Sequence, residues 1–184
     1  DLIRASTLDW TIVRPSGVFG ERDQLLNTFA ALQTWLPALA MPRTGARFQP
    51  VWVDDLASAL AGSLIDRRRH LTSRQILDAV GPATFTLRQL VALAGDLAGH
   101  RRPVIGLPDS VGNGVATLME ILPGPTPISR DNIASMRLDN VSAADAPRLL
   151  PIFDIVPRHI EEVAPAWLDR RGTFYDRARR RARR

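Results

Sequence analysis

Short β-branched runs alternate with segments of helical period through the first hundred residues, and this alternation limits the fold more than any other feature of the chain. Trp10-Thr-Ile-Val-Arg-Pro15 is a β-branched run stopped by a proline and reads as a buried strand. From Asp23 to Leu36, the residues Leu25, Phe29, Leu32 and Leu36 recur at helical spacing, and Pro37 ends the segment. Arg47-Phe-Gln-Pro-Val-Trp-Val53 is short, extended and aromatic, and Asp54-Asp55 then open a stripe of Leu56, Ala57, Leu60, Ala61 and Leu64. Gln75-Ile-Leu-Asp-Ala-Val80 reads as another strand, closed by Gly81-Pro82. Thr86-Leu-Arg-Gln89 matches a capping box ahead of Leu87, Leu90, Val91, Ala94 and Leu97. Strands alternating with helices in this way predict an α/β architecture with parallel pairing.

The second half is less regular. Pro103-Val-Ile-Gly-Leu-Pro108 reads as a short edge strand, because proline cannot donate to both neighbours of a central one. Helical pieces are expected over 111–122, 130–137 and 159–168, with Gly124-Pro-Thr-Pro127 as a linker-like break. The expected division is residues 1–100 as the sheet-forming part with interleaved substrate-facing segments, 101–175 as a mostly helical region, and 176–184 as a disordered arginine-rich tail.

Composition removes several chemistries. All 24 cationic side chains are arginine, so the chain offers no Schiff-base lysine, no P-loop lysine and no Tyr-x-x-x-Lys relay. Cysteine is absent, which excludes thiol nucleophiles, disulfides and cysteine-ligated metals. His70, His100 and His159 are too scattered to suggest a local metal motif. The net charge of +5 also misleads as a property of the whole chain, since six arginines and no acid lie within Arg177 to Arg184. The body is close to neutral and carries a basic tail. Such a tail can gain from an anionic surface by potential and counterion release alone. An anionic membrane surface or a protein complex is its expected partner if it has one. Nothing beyond charge points to specific nucleic-acid binding.

Several residues invite a functional reading beside a structural one. Arg14-Pro-Ser-Gly-Val18 follows a strand's carboxyl end, where doubly wound sheets bind ligands; by residue type alone it is also a proline-terminated core strand and tight turn. Arg47 could reach a phosphate with its planar fork, or simply lie on the surface. Trp52 is a candidate pocket wall. Asp54 and Asp55 could share a metal or acid–base task, but are expected to cap the following helix. Ser16 has no nucleophile elbow and no nearby histidine motif, which argues against a hydrolase.

Three segments, in order and correctly spaced, resemble one family. Leu8-Asp-Trp-Thr-Ile-Val-Arg-Pro-Ser-Gly-Val-Phe-Gly20 resembles the strand and loop of extended and atypical short-chain dehydrogenases/reductases, the NAD-dependent epimerase/dehydratase family. Arg47-Phe-Gln-Pro-Val-Trp-Val-Asp-Asp-Leu-Ala57 and Gly81-Pro-Ala-Thr-Phe-Thr-Leu-Arg-Gln-Leu90 are similar to two later segments of that family. Gly20-Glu-Arg-Asp-Gln-Leu-Leu-Asn27, Ile152-Phe-Asp-Ile-Val-Pro157 and Ile160-Glu-Glu-Val-Ala-Pro-Ala-Trp-Leu168 suit the branch that includes the dehydrogenase-like accessory subunit of respiratory complex I and its bacterial relatives.

The resemblance implies the C-terminal portion of an NAD(P)-binding Rossmann-type doubly wound fold with a small mixed substrate or cap region. It implies NAD or NADP as cofactor, with Arg14, Pro15, Ser16, Gly17 and Val18 on its nicotinamide side and Arg47 and Trp52 facing substrate. No residue is assigned a catalytic role, and no metal is implied. The family's Gly-rich pyrophosphate loop and its Tyr-x-x-x-Lys pair are not found here: the sole tyrosine, Tyr175, has arginine four positions on. The expectation is a fragment whose cofactor is either structural or redox-active. A nucleotide-sugar epimerase or dehydratase, and a non-enzymatic accessory or assembly protein of a membrane complex, are the alternatives. The location expected is cytoplasmic, with a peripheral position on the inner membrane for the accessory reading.

Overall fold

The computed structural model describes residues 2–112, 114 and 130–168. In chain order the elements begin with α1 Leu2–Ala5, β1 Thr11–Pro15, β2 Val18–Phe19, α2 Leu25–Trp35, β3 Leu39–Pro42, β4 Arg47–Phe48, β5 Val51–Trp52 and α3 Val53–Ile65. They continue with a 3-10 helix Arg67–Leu71, β6 Gln75–Ala79, β7 Phe85–Thr86, α4 Leu87–Ala98, β8 Val104–Leu107, α5 Arg130–Ser135, α6 Leu149–Ile152, α7 Ile160–Val163 and α8 Pro165–Leu168. The fold is α/β, and the chain divides into two compact units that interleave along the sequence. Among the described residues, the first comprises 2–20, 48–84 and 141–160; the second comprises 21–47, 85–112, 114, 130–140 and 161–168.

The first unit is built on β1 and β6, which run parallel with Thr11 opposite Gln75 and Pro15 opposite Ala79. Parallel strands cannot be joined by a hairpin, so a long crossover must separate them, and α3 lies within it. A second parallel pair, β2 with β5, sets Val18 opposite Val51 and Phe19 opposite Trp52. The inner end of β6 faces the core. Leu77 and Ala79 pack there with Val51, Leu56, Ala59, Leu149, Leu150 and Phe153, and Val13 of β1 lies against the same cluster. Gly62 of α3 admits the Phe153 ring, since a Cβ there would lie 2.8 Å from its Cδ1.

The second unit pairs β3 with β8 in parallel, Leu39 opposite Val104, and packs α2 on α4. The predicted capping box is formed: Gln89 N–H donates to Thr86 Oγ1 at 3.2 Å, and Thr86 N–H donates to Gln89 Oε1 at 2.7 Å. Gly99 closes α4 in the left-handed region at φ 80°. Of the expected apolar stripe, Leu87, Leu90, Val91 and Ala94 are buried, while Leu97 is half-buried and Ala98 takes the inner position beside it. Gln33 is buried beside it and donates to the Val91 carbonyl at 2.8 Å and the Phe29 carbonyl at 3.1 Å. The helix expected over 111–122 falls largely outside the described residues, as do the Gly124–Pro127 break, Tyr175 and the arginine tail.

Candidate functional site

At the carboxyl end of the first unit's main parallel pair, the arrangement of polar groups starts from register. Arg14 of β1 stands directly opposite Asp78 of β6. Its Nε donates to Asp78 Oδ1 at 2.9 Å and its Nη2 lies 2.8 Å from the same oxygen. The other carboxylate oxygen accepts from Ser142 Oγ at 2.8 Å. Asp78 is buried, and the Arg14 side chain is 62% exposed. A buried carboxylate thus anchors an outward guanidinium, which is how a charged group can be both fixed and accessible.

Beyond Arg14, Pro15 ends the strand, and Ser16 N–H continues the ladder by one bond to the Ala79 carbonyl at 3.1 Å. The buried Ser16 hydroxyl accepts from the Gln49 backbone N–H at 3.1 Å. Gln49 also donates through Nε2 to the Gly81 carbonyl at 2.9 Å, and its Oε1 accepts from Ser142 N–H at 3.2 Å. The Gly17 carbonyl accepts from Val51 N–H at 2.9 Å. The loop 14–18 is therefore held from behind by residues 49–51, 78–81 and 142. On its other side it is open: a Cβ placed on Gly17 meets no atom within 4 Å.

Trp52 is buried at the end of β5. The Phe19 ring lies 5.6 Å away and tilted, and the Arg158 guanidinium lies over the indole at 5.6 Å. Asp55 does not cap α3, contrary to expectation: the N-cap residue is Trp52, with no side-chain cap. Asp55 is 4% exposed and accepts three bonds from Arg158. The backbone N–H of Arg158 reaches Oδ2 at 2.9 Å, while Nε and Nη2 reach Oδ1 at 3.0 and 2.8 Å. Asp54, one residue earlier, faces solvent.

Arg47 belongs to the second unit, where it is exposed. Its backbone N–H donates to Asp139 Oδ1 at 3.0 Å, and its carbonyl accepts from Asn140 N–H at 2.8 Å. His70, His100 and His159 are all exposed. Among the described residues no group of three histidine or acidic side chains could hold a metal ion.

Sequence reasoning named Arg14, Ser16 and Trp52 but missed their partners Asp78, Ser142, Gln49 and Arg158. The only signal for Asp78 was an acid inside an otherwise apolar strand. Nothing local marks Ser142 or Arg158, which lie 64 and 103 residues from the groups they hold.

No family model matches the chain. It is similar to the mitochondrial NADH dehydrogenase [ubiquinone] 1 alpha subcomplex subunit 9 of Arabidopsis thaliana, 26% identical over 162 residues, which is 82% of this chain and 39% of that protein. The subunit of the same name from Rattus norvegicus is 26% identical over 186 residues, covering 89% and 48% respectively. The chain thus spans less than half the length of these curated relatives. Among solved structures, a nucleoside-diphosphate-sugar epimerase from Staphylococcus aureus superposes with a TM-score of 0.63 at 14% identity, over 87% of this chain and 53% of that one. A dTDP-glucose 4,6-dehydratase from Bacillus anthracis, solved in complex with NAD, gives 0.52 at 14% identity, over 90% and 44%. At such identity these structures speak to the fold: the α/β arrangement is that of a portion of Rossmann-type epimerases and dehydratases.

Proposed function

We propose that the chain, similar in sequence and fold to atypical short-chain dehydrogenases/reductases, forms the nicotinamide-side part of an NAD(P)-binding protein. The backbone of Arg14-Pro-Ser-Gly-Val18 would lie against the nicotinamide end of the cofactor, with Trp52 on the substrate side. The observation that carries this reading is the open face at Gly17, in a loop whose other face is locked by Ser16, Gln49 and Val51. A rigid backbone with free space before it, at the carboxyl end of a parallel strand, suits a planar ring that needs close main-chain approach.

The residues present fit the nicotinamide end only. They supply neither a Gly-rich pyrophosphate loop nor a lysine, so binding of the rest of the dinucleotide and any Tyr-x-x-x-Lys relay would need residues outside this chain. The chain alone is therefore not expected to catalyse hydride transfer.

The test is a titration of the full-length protein with NADH and NADPH, followed by fluorescence, alongside Gly17→Val. Gly17 does not adopt a positive φ, and the space beside it is open, so the valine variant should melt as the parent does. It should bind the cofactor about tenfold more weakly or worse, equivalent to about 1.4 kcal/mol. Unchanged affinity in a folded Gly17→Val protein would remove the loop from the cofactor site.

A second reading is carried by the curated relatives, which are named as subunits of NADH dehydrogenase. In it the protein is an accessory or assembly component of a membrane complex, its cofactor is structural, and the arginine tail supplies attraction to an anionic surface. Among the described residues no helix is long and apolar enough to cross a membrane, so attachment by described helices would be peripheral. Deleting Arg177–Arg184 should then lower recovery in the membrane fraction; undiminished recovery would count against the tail.

A further inference from the structure

Arg158 carries a chemistry that neither the loop nor the fold accounts for. Three arginines in the first unit are held by aspartates, and they are held differently. Arg68 is shared between two aspartates: its Nε reaches Asp66 Oδ1 at 3.2 Å, its Nη1 takes Asp154, and its guanidinium rests over Phe153. It ties the 66–68 turn to the 153–154 turn and lies between two carboxylates rather than against one. Arg14 and Arg158 are instead pinned through Nε and Nη2 alone, each on a single oxygen of a buried aspartate. In Arg158 the second oxygen of Asp55 is taken by the residue's own backbone N–H. The side chain thus cannot swing away without breaking a bond set made by one residue on one carboxylate.

This geometry orients charge. Asp55 is 4% exposed, whereas the Arg158 side chain is 49% exposed. The negative end of the pair points inward and the positive end meets solvent. One guanidinium face is covered by the Trp52 indole at 5.6 Å, which removes water from that side and strengthens what the free edge can bind. The Nη1 edge has no partner among the described residues. Its location matters as well: Trp52 is the last residue of β5, parallel to β2, so Arg158 sits at the carboxyl end of that pair, on the side where open α/β sheets take ligands.

We propose that Arg158 is an oxyanion-binding residue, held by Asp55 and backed by Trp52, that takes a phosphate or carboxylate group of a ligand. The ligand edge is Nη1 with the outer hydrogen of Nη2, a fork matched to two oxygens of one anion. Asp55 acts through Arg158 as its positioning residue. The site does not depend on nicotinamide binding at the loop, since no atom of loop 14–18 enters it.

The experiment reads the arginine Nε–Hε resonances of the full-length protein while inorganic phosphate, and separately acetate, is added at constant ionic strength. Through-bond assignment identifies Arg158 and Arg68. The Arg158 signal should shift and saturate with at least one of the two anions, while Arg68, already flanked by two carboxylates, stays still. Arg158→Lys keeps the charge but not the fork, and should weaken the anion's effect about tenfold or more, as loss of one charge-assisted bond does. No saturable shift with either anion overturns the proposal, and so does an equal shift at Arg68. Unweakened binding by a folded Arg158→Lys variant overturns it too. If that variant fails to fold, the wild-type titration with Arg68 as internal reference still decides.

Discussion

A Cβ at Gly81 would stand 1.8 Å from the Pro50 carbonyl oxygen, inside any permitted contact, and the obstacle is backbone that cannot rotate aside. Gly81 is thus what lets residues 49–51 pack against the end of β6 and hold the loop at Ser16. Gly81→Ala should cost about 3 kcal/mol or more, seen as a lower urea midpoint. A variant with unchanged stability would mean that this close approach does not exist in solution. Asp66 shows a milder residue-scale effect. The backbone N–H of Arg68, and then its guanidinium, hold the Asp66 carboxyl below the usual carboxylate range. A carboxyl lowered in this way stabilises the fold above its unfolded pKa and loses that contribution as pH falls through the folded value. Asp66→Asn should therefore lower stability slightly at neutral pH and flatten the acid limb of a stability–pH curve, and a curve parallel to wild type would refute the link. Arg68 gains in the opposite direction: its partners Asp66 and Asp154 raise its already high pKa, which keeps it charged throughout this range.

At the scale of elements, α4 shows how much a helix can be specified by its own residues. Its capping box, its apolar stripe and its Gly99 terminator are all local, and the box and the stripe were legible before any fold was known. Thr86→Ala removes the Oγ1 that accepts from Gln89 N–H and should cost about 1 kcal/mol, a fall of about 2–4 °C in Tm for a chain of this size. A Tm within a degree of wild type would show that the box contributes nothing. Helix α3 teaches the reverse. Its two aspartates look like first-turn caps by sequence, yet Asp55 turns inward to Arg158 and the N-cap side chain does not bond. The side chain chose the stronger partner: a charge-assisted set of three bonds outweighs a single exposed cap. Proline had the clearest effect on strands, stopping β1 at Pro15 and keeping β8 short between Pro103 and Pro108.

For the molecule as a whole, the consequence of this fold is exposed apolar surface in the first unit. Among the described residues β1 pairs with β6 alone. Beside it a hollow of about 450 Å³ is lined by Thr11, Val13, Leu60, Leu64 and Arg69. Leu64 and Ile65 are 73% and 84% exposed. An unpaired edge next to such side chains favours association with another chain, so the isolated 184-residue chain should self-associate. Leu64→Glu should shift light-scattering mass toward the monomer without altering circular dichroism; equal masses for the two proteins would show that this surface is not adhesive. What the sequence determined alone was whatever depends on near neighbours: strand against helix, the proline stops, the capping box, and the ordered motifs that resemble short-chain dehydrogenases/reductases. The position of the loop Arg14–Val18 at a strand's carboxyl end followed from those. Only the tertiary structure decided the partners, because Arg14 with Asp78, Ser142 with Asp78 and Asp55 with Arg158 are separated by 64 to 103 residues. Such pairs are set by parallel register and by the competition of buried carboxylates for donors, and local periodicity carries no record of either.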